Sequence, residues 1–495
     1  METTLSSKIT PDVASVLPRH RQLYAGGQWM EPHGGYRDTW NPATGESLGP
    51  CAEADASDVQ AVVEKAQAGF EAWRQVKPLE RAALLRRIAQ VLRDNAGELA
   101  LIDAANCGNP VKEMAGDALA AAAQVEYFAG LVTEIKGETM PMGEGVVNLT
   151  VREPLGVCAR IVAYNHPLMF VAGKLAPVIA AGNSAVMKAP QQAPLSTYRL
   201  MELIEGILPP GVLNIVTGGA AAGQALVEHP LVQHVALIGS VATGRAIART
   251  AADQLKKISL ELGGKNACII FPDANIDAAI RGAVGGMNFG WCGQSCGSTS
   301  RLFVHESVYD RVVEGVLAQV RHFQPGMPTD MSTTMGSLVS KDQFDKVLRY
   351  IDVAHADGAR LLHGGRRSDN PALANGFFVE PTIFDKVTQD MRIAREEVFG
   401  PILSILKWSD TQDMLSQVNS VEYGLTCSIW TGNLANAHLA AAQVQAGYVW
   451  VNNASRHFIG APFGGYKLSG IGREESLEEL LHYTQLKNIN ITLAP

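Results

Sequence analysis

Cys296 stands in Gly293-Gln294-Ser295-Cys296-Gly297-Ser298, a run whose small side chains leave the thiol and the backbone amides open. A thiolate is a strong nucleophile, and main-chain N–H groups beside it can hold the oxyanion created by its attack on a carbonyl. The competing reading is a buried structural thiol, the commoner fate of a free cysteine. Cys292 lies four residues earlier. No second Cys/His pair follows at ligand spacing, so no metal is expected. If the segment is helical, Cys292 lies one turn from Cys296, as a channel-lining thiol or a redox partner for a reversible disulfide.

Glu261, in Leu260-Glu261-Leu262-Gly263-Gly264-Lys265-Asn266, ends a short apolar run that reads as a strand. In open α/β sheets, catalytic groups gather outside the carboxyl ends of strands. A carboxylate flanked by Leu260 and Leu262 has the surroundings that raise a pKa and suit a general base. A solvated strand-end glutamate is the plainer alternative. Gly239-Ser240-Val241-Ala242-Thr243-Gly244-Arg245 follows another apolar run and opens a helix, a turn that presents N–H groups to phosphate. Lys188 and Gln191, after a further run, are placed either to bond a ribose or to face solvent.

These residues need a scaffold of alternating elements. From Asp58 to Asn106 apolar residues recur at three and four, as in Val62, Ala66, Phe70 and Trp73, which predicts helices. After Val151 short apolar runs alternate with helix-length segments. Strands are predicted at Val157–Tyr164, Ser184–Lys188, Leu213–Thr217, His234–Ile238 and Ile258–Leu260, with helices around Pro167–Ile179, Ser196–Ile207 and Gly223–Glu228. That alternation predicts a parallel, doubly wound sheet. A second series, from Ala267–Phe271 through Arg301–His305, Pro401–Trp408, Cys427–Thr431 and Tyr448–Asn452, predicts a second α/β unit. Two further β-prone stretches, 134–151 and 483–493, belong to neither and need a partner surface, most naturally between subunits.

The chain has 495 residues, 47% hydrophobic and 18% charged, which predicts several folded domains and excludes a mainly disordered chain. A net charge of −8 without a basic cluster argues against nucleic acid as a partner. The longest apolar run, Leu168 to Ala181, is broken by Lys174 and Pro177, so no membrane span is expected. Met1 to Arg21 is polar and reads as a frayed lead-in without a secretory core. Seven scattered cysteines do not form a disulfide framework, which fits a reducing, cytoplasmic setting.

Taken together and in order, the segments resemble the aldehyde dehydrogenase superfamily over nearly the whole chain. The motifs are Tyr164-Asn165-His166-Pro167, Lys188-Ala189-Pro190, Gly239-Ser240 with Gly244, and Glu261-Leu262-Gly263-Gly264-Lys265. Gly293-Gln294-Ser295-Cys296, Glu396-Glu397-Val398-Phe399-Gly400-Pro401 and Pro462-Phe463-Gly464-Gly465-Tyr466-Lys467-Leu468-Ser469-Gly470 complete the set. The resemblance implies an α/β fold of two doubly wound domains and a small β oligomerisation arm. It divides the chain into a cofactor domain (1–133 and 152–262), a catalytic domain (263–465) and the arm (134–151 and 466–495), assembled as a homodimer or homotetramer. It implies NAD as cofactor and an aldehyde as substrate. Cys296 is then the nucleophile, Asn165 and the Cys296 N–H the oxyanion donors, and Glu261 the base that hydrolyses the resulting thioester. Lys188 and Gln191 match the adenosine-ribose positions, Ser240 the pyrophosphate contact beside Gly239, Gly244 and Leu262. Glu397 matches the nicotinamide-ribose ligand with Phe399 beside it, and Gln343 and Lys346 a helix approaching the same ribose. A carboxylate at Glu261 also separates this chain from relatives that pass the acyl group to coenzyme A.

Three departures from the family's commonest pattern carry expectations of their own. Gln191 replaces a frequent Glu, so NADP is expected to be accepted measurably, with NAD still favoured. His166 follows the catalytic Asn where Phe is usual, either packing and hydrogen-bonding or offering a polar group to the channel. Gly173 and Gly290 stand where large aromatics are common, while Arg456 and His457 precede Pro462-Phe463. With Met169, Phe170, Cys292 and Phe463, these suggest a wide channel for a bulky or aromatic aldehyde, with basic groups for an anionic tail. The readings left beside this one are a non-redox thiol esterase and a non-catalytic protein on the same fold.

Overall fold

A computed structural model describes residues 12–493. The first eleven residues of the predicted lead-in lie outside the described range, but its remainder is not frayed. Val13–Val16 is helical, and the N–H groups of Arg19 and His20 donate to Glu202 Oε1 at 2.6 and 2.8 Å.

The helical periodicity after Asp58 resolves into three helices, Ala56–Trp73, Pro78–Asp94 and Ala96–Cys107. Asp55 caps the first in a reciprocal capping box with Asp58, and Pro78 starts the second, where its missing N–H costs nothing. Beyond them an eight-stranded sheet forms. Its centre is parallel, in the order Leu213–Val216, Ser184–Lys188, Val157–Ile161, Val232–Ile238, Lys257–Glu261. These strands are apolar on both faces because helices cover both. The edges are antiparallel: Leu23–Ala25 and Gln28–Met30 on one side, Gly470–Ile471 on the other. The strand from Val157 ends at Ile161 rather than Tyr164, where the chain leaves the sheet ahead of helix Pro167–Ala180.

The second series forms a seven-stranded sheet containing all five expected strands. It also takes in Arg360–His363 and Thr382–Asp385, which the sequence reading passed over. The two orphan β segments pair with each other. Thr484–Thr492 runs antiparallel to Val146–Pro154 over nine residue pairs, with Thr139–Met140 on the other edge. The stretch from Tyr466 divides its contacts: Gly470–Ile471 joins the first sheet, and only Thr484–Thr492 joins the separate one. Among the described residues no helix is long and apolar enough to cross a membrane.

Helix Pro167–Ala180 sits at the centre of the first unit and is buried almost all round. Trp73 donates its indole N–H to the Ile179 carbonyl at 3.0 Å, satisfying an acceptor at the helix's C-terminal end. Lys174 is the exception in this apolar helix: a buried cation, and the first sign of a charged cluster beneath the site.

Candidate active site

The segment carrying Cys296 is a series of tight turns, not a helix. A short 3-10 turn, Phe289–Trp291, ends at Cys292 in the left-handed region (φ 54°). Gly293 follows at φ 66°, and a Cβ there would lie 2.2 Å from the Gly400 carbonyl oxygen, so only glycine fits. Asn266 clamps the turn from below. Its amide donates to the carbonyls of Cys296 (2.7 Å) and Ser298 (3.0 Å), while its own oxygen accepts the Thr426 N–H at 3.0 Å. Among the described residues the Cys296 N–H has no acceptor, and neither does the Asn165 side-chain amide. Asn165 itself is buried, its carbonyl held by Asn109 Nδ2 at 2.8 Å. The free Cys296 N–H is the kind of donor that an oxyanion formed at the neighbouring sulfur requires.

Cys296 reaches the wall of a cavity of about 330 Å³, and Glu261 lines the same cavity. Burial pushes the Cys296 thiol up, and the carboxylates Glu261, Glu397, Glu474 and Glu475 push it further. Glu261 ends its strand, as expected, and is 5% exposed, with neither carboxylate oxygen bonded to a described residue. Burial raises its pKa well above the carboxylate range, and Glu474 adds to the rise while Lys174 opposes it. Glu474 is itself held ionised. Arg160 pairs with it, and Lys174 Nζ lies 2.9 Å from its second oxygen. Tyr483 and Glu479 complete this buried cluster, at 2.6 and 3.3 Å from Arg160. Two carboxyl groups on one cavity thus have pKa values driven apart, Glu474 down and Glu261 up.

The rest of the cavity is ringed by aromatic groups. His166 lies edge-on to Phe170 (5.2 Å between centroids) and near Trp291 (5.7 Å), while Phe463 packs on His457 at 4.5 Å. Met169 and Trp450 close the wall. Each histidine is tied to a carboxylate, His166 Nδ1 to Asp117 at 2.7 Å and His457 Nδ1 to Glu475 at 3.1 Å. His166 therefore both packs and faces the cavity.

Four other residues expected in the channel lie outside its wall. Gly173 leaves no gap, because Gln124 fills the space: a Cβ on Gly173 would meet Gln124 Oε1 at 2.1 Å. Gly290 faces the Glu113 side chain. Cys292 is fully buried with its thiol toward the Gly336 carbonyl (3.6 Å), and the absence of a helix removes the one-turn relation to Cys296. Arg456 points outward, its guanidinium stacked 5.0 Å from the Phe458 ring. The expected anionic-tail site is corrected accordingly, since Arg456 is absent from the wall and His457 is already paired.

The residues matched to a dinucleotide fall into two groups. Ser240 caps helix Val241–Asp253, its Oγ accepting the Thr243 N–H at 3.2 Å, and the helix's N-terminal amides point past Gly239. Gly244 packs so closely that a Cβ would strike Leu262 at 2.8 Å. Beside them Lys188 is buried, its Nζ 2.5 Å from the Gly218 carbonyl and its pKa drawn down to about 8 by burial. Gln191 donates to Glu53, a residue the sequence reading passed over, at 3.2 Å. In the second group Glu397 accepts the Gly264 N–H at 2.9 Å, and Phe399 sits at φ 56° with its ring edge-on to Tyr164. Lys346 is near enough for Glu397 to support its charge. Gln343 donates its amide to the carbonyls of Val398 (3.1 Å) and Phe399 (2.6 Å), and so holds this loop. A helix N-terminus, a buried ammonium and two ribose-sized polar clusters fit a dinucleotide laid across the carboxyl ends of the first sheet.

Comparison with known proteins decides the family. Residues 29–489 match the model of the aldehyde dehydrogenase family. The chain belongs to that family. It is 51% identical over 491 residues to aldehyde dehydrogenase tropH of Talaromyces stipitatus, covering 98% of this chain and 95% of that one. An NAD+ complex of the Bacillus cereus aldehyde dehydrogenase superposes with a TM-score of 0.95 at 36% identity, covering 98% and 99% of the two chains. The P. syringae AldA indole-3-acetaldehyde dehydrogenase, in complex with NAD+ and IAA, superposes with a TM-score of 0.94 at 36% identity, covering 97% and 98%.

For this aldehyde dehydrogenase the sequence reading brought together Cys296, Glu261, His166, Met169, Phe170, His457 and Phe463 on one cavity. It missed Lys174, Arg160, Glu474, Glu475, Asp117, Gln124, Asn266 and Glu53. Lys174 and Arg160 carried a usable signal, because a lone cation inside an apolar helix or strand needs a buried counter-charge. Gln124 and Glu53 had none, being ordinary polar residues on an amphipathic helix and after an edge strand.

Proposed function

We propose that this enzyme oxidises an aromatic aldehyde to its carboxylic acid with NAD, through a thioester on Cys296 that water hydrolyses. The observation that carries the hydrolytic step is Glu261: a buried carboxylate with two unbonded oxygens on the cavity that also holds the thiol. The Cys296 thiol gives its proton to water, the thiolate sulfur adds to the aldehyde carbon, and the carbonyl oxygen, now an oxyanion, takes hydrogen bonds from the Cys296 N–H and the Asn165 amide. NAD, when bound, would accept the hydride that leaves this carbon, and the acyl group would remain on Cys296 as a thioester. Glu261 then takes a proton from water, the hydroxide adds to the thioester carbon, and the thiolate leaves. Lys188, Gln191 and Ser240 hold the adenosine side of NAD, with Glu397 and Phe399 on the nicotinamide side.

The ring of Phe170, Trp291, Trp450 and Phe463 supports a flat aromatic substrate, and the paired histidines support a neutral one. Gln124 refines this reading. It is 6% exposed, lines the cavity, and its amide bonds to no described residue. Its Oε1 is turned to Gly173, so the N–H end of the amide is the one that would donate to the oxygen of a hydroxyl on the aldehyde's ring. The two large sheets are the cofactor and catalytic units, and the three-stranded sheet is the arm of a homodimer or homotetramer in the cytoplasm.

The test is rapid mixing with NAD and a hydroxybenzaldehyde. Wild type is expected to turn over steadily. Glu261→Gln is expected to release about one equivalent of NADH per site and then stall. A Glu261→Gln variant that turns over at the wild-type rate overturns the hydrolytic role.

A further inference from the structure

Gln191 lacks the charge that would exclude a 2′-phosphate, but the place is not neutral. Glu53, just after strand Ser47–Ala52, turns its carboxylate into the same cluster. It accepts the Gln191 amide at 3.2 Å and the Gly219 N–H at 2.8 Å, and it lies close enough to support the charge on Lys188. Gly219 keeps this approach open, since a Cβ there would sit 3.2 Å from both Glu53 Oε1 and Gln191 Nε2. Glu53, Gln191 and Gly218 also line one small recess.

We propose that Glu53 is the residue that makes this enzyme selective for NAD over NADP, supplying from the strand Ser47–Ala52 side the carboxylate that position 191 lacks. The proposal rests on reading Lys188 and Gln191 as the adenosine-ribose site. A ribose whose hydroxyls reach Lys188 and Gln191 places its 2′-oxygen beside Glu53. A hydroxyl there donates to the carboxylate, whereas a phosphate meets it as a like charge without a proton to share. Gln191 orients Glu53 with its amide hydrogens. The remaining charges on the recess are Arg37 and Asp38, adjacent and of opposite sign. The preference for NAD that Gln191 alone would leave slight is thereby strengthened.

The experiment is equilibrium binding, by calorimetry on the full chain without substrate, using NAD, NADP and adenosine 2′,5′-bisphosphate. Wild type is expected to bind NAD about a hundredfold more tightly than NADP. Glu53→Gln should narrow that ratio about tenfold, chiefly by tightening NADP and the bisphosphate, while Glu53→Asp keeps the wild-type preference. An unchanged ratio in Glu53→Gln, in protein with the wild-type melting temperature, overturns the proposal. So does NADP binding that falls in Arg37→Ala, since that would show a cation serving the 2′-phosphate. Lys188→Ala separates the two readings. NAD binding indifferent to that change refutes the ribose site itself, whereas weakened NAD binding with an unchanged ratio in Glu53→Gln refutes only the role of Glu53.

Discussion

The two ends of the one cavity treat their polar groups in opposite ways. At the outer wall each histidine has a carboxylate, His166 with Asp117 and His457 with Glu475. At the reacting end the Glu261 oxygens and the Cys296 N–H are left without partners among the described residues. A buried unpaired group costs stability and persists when chemistry supplies its partner in passing. Apart from Gln124, Trp291 and Ser455, whose side chains each keep one unbonded polar atom, the outer end is finished architecture that shapes and orients. The inner end is unfinished, and the reaction completes it.

The largest effect should come from Cys296→Ala, with NADH formation falling about 10⁴-fold or more while the melting temperature stays near wild type. Comparable losses from His166→Phe would erase the contrast between the ends. Glu261→Gln should lower steady-state turnover about 10²–10⁴-fold. The raised pKa of Glu261 sets the sign of the pH dependence. Its base form is lost as pH falls through a range above that of a free glutamate, so turnover drops there while the NADH burst persists. In that same window the folded state binds more protons than the unfolded one, so this group's contribution to stability falls as pH rises. Glu261→Gln should remove both trends, which a pH series of turnover and chemical denaturation would show.

Glu474→Gln tests the boundary between the two ends from beneath. It leaves Arg160 and Lys174 short of a counter-charge, and denaturation should report about 3 kcal/mol lost. It also removes the charge that raises Glu261, so the acid limb of turnover should move to lower pH. At the outer end, Gln124→Leu should lower the preference for hydroxylated over plain benzaldehydes by about tenfold in kcat/KM. The smallest effect belongs to Cys292→Ala, which should leave peroxide sensitivity within about twofold, because that thiol faces a backbone carbonyl in the core.

What the sequence disclosed follows the same division. Cys296 and Glu261 were legible because small or apolar neighbours around a reactive group form a local pattern, and the parallel sheets because apolar runs alternate with helical ones. The wall was not legible. Gly173 looked like a vacancy until Gln124, 49 residues earlier and on another helix, proved to fill it. Arg456 and His457 are neighbours in sequence, yet one stacks outward on Phe458 and the other turns in to Glu475. Side-chain direction in an irregular loop is set by tertiary partners, which no local spacing encodes. The strands Arg360–His363 and Thr382–Asp385 were missed for a related reason: each is four residues long with only two apolar residues in the run.

The buried cluster under Glu261 has a consequence for how the protein is made. Lys174 and Glu474 are 300 residues apart in the chain. At a translation rate of about 5–20 residues per second, the two cations Arg160 and Lys174 wait roughly 15–60 s for their counter-charges to emerge. Until then the central helix of the first unit cannot be buried without leaving a bare ammonium in an apolar core. With both cations charged, burial of that helix is complete only once the segment bearing Glu474 and Glu479 has joined it.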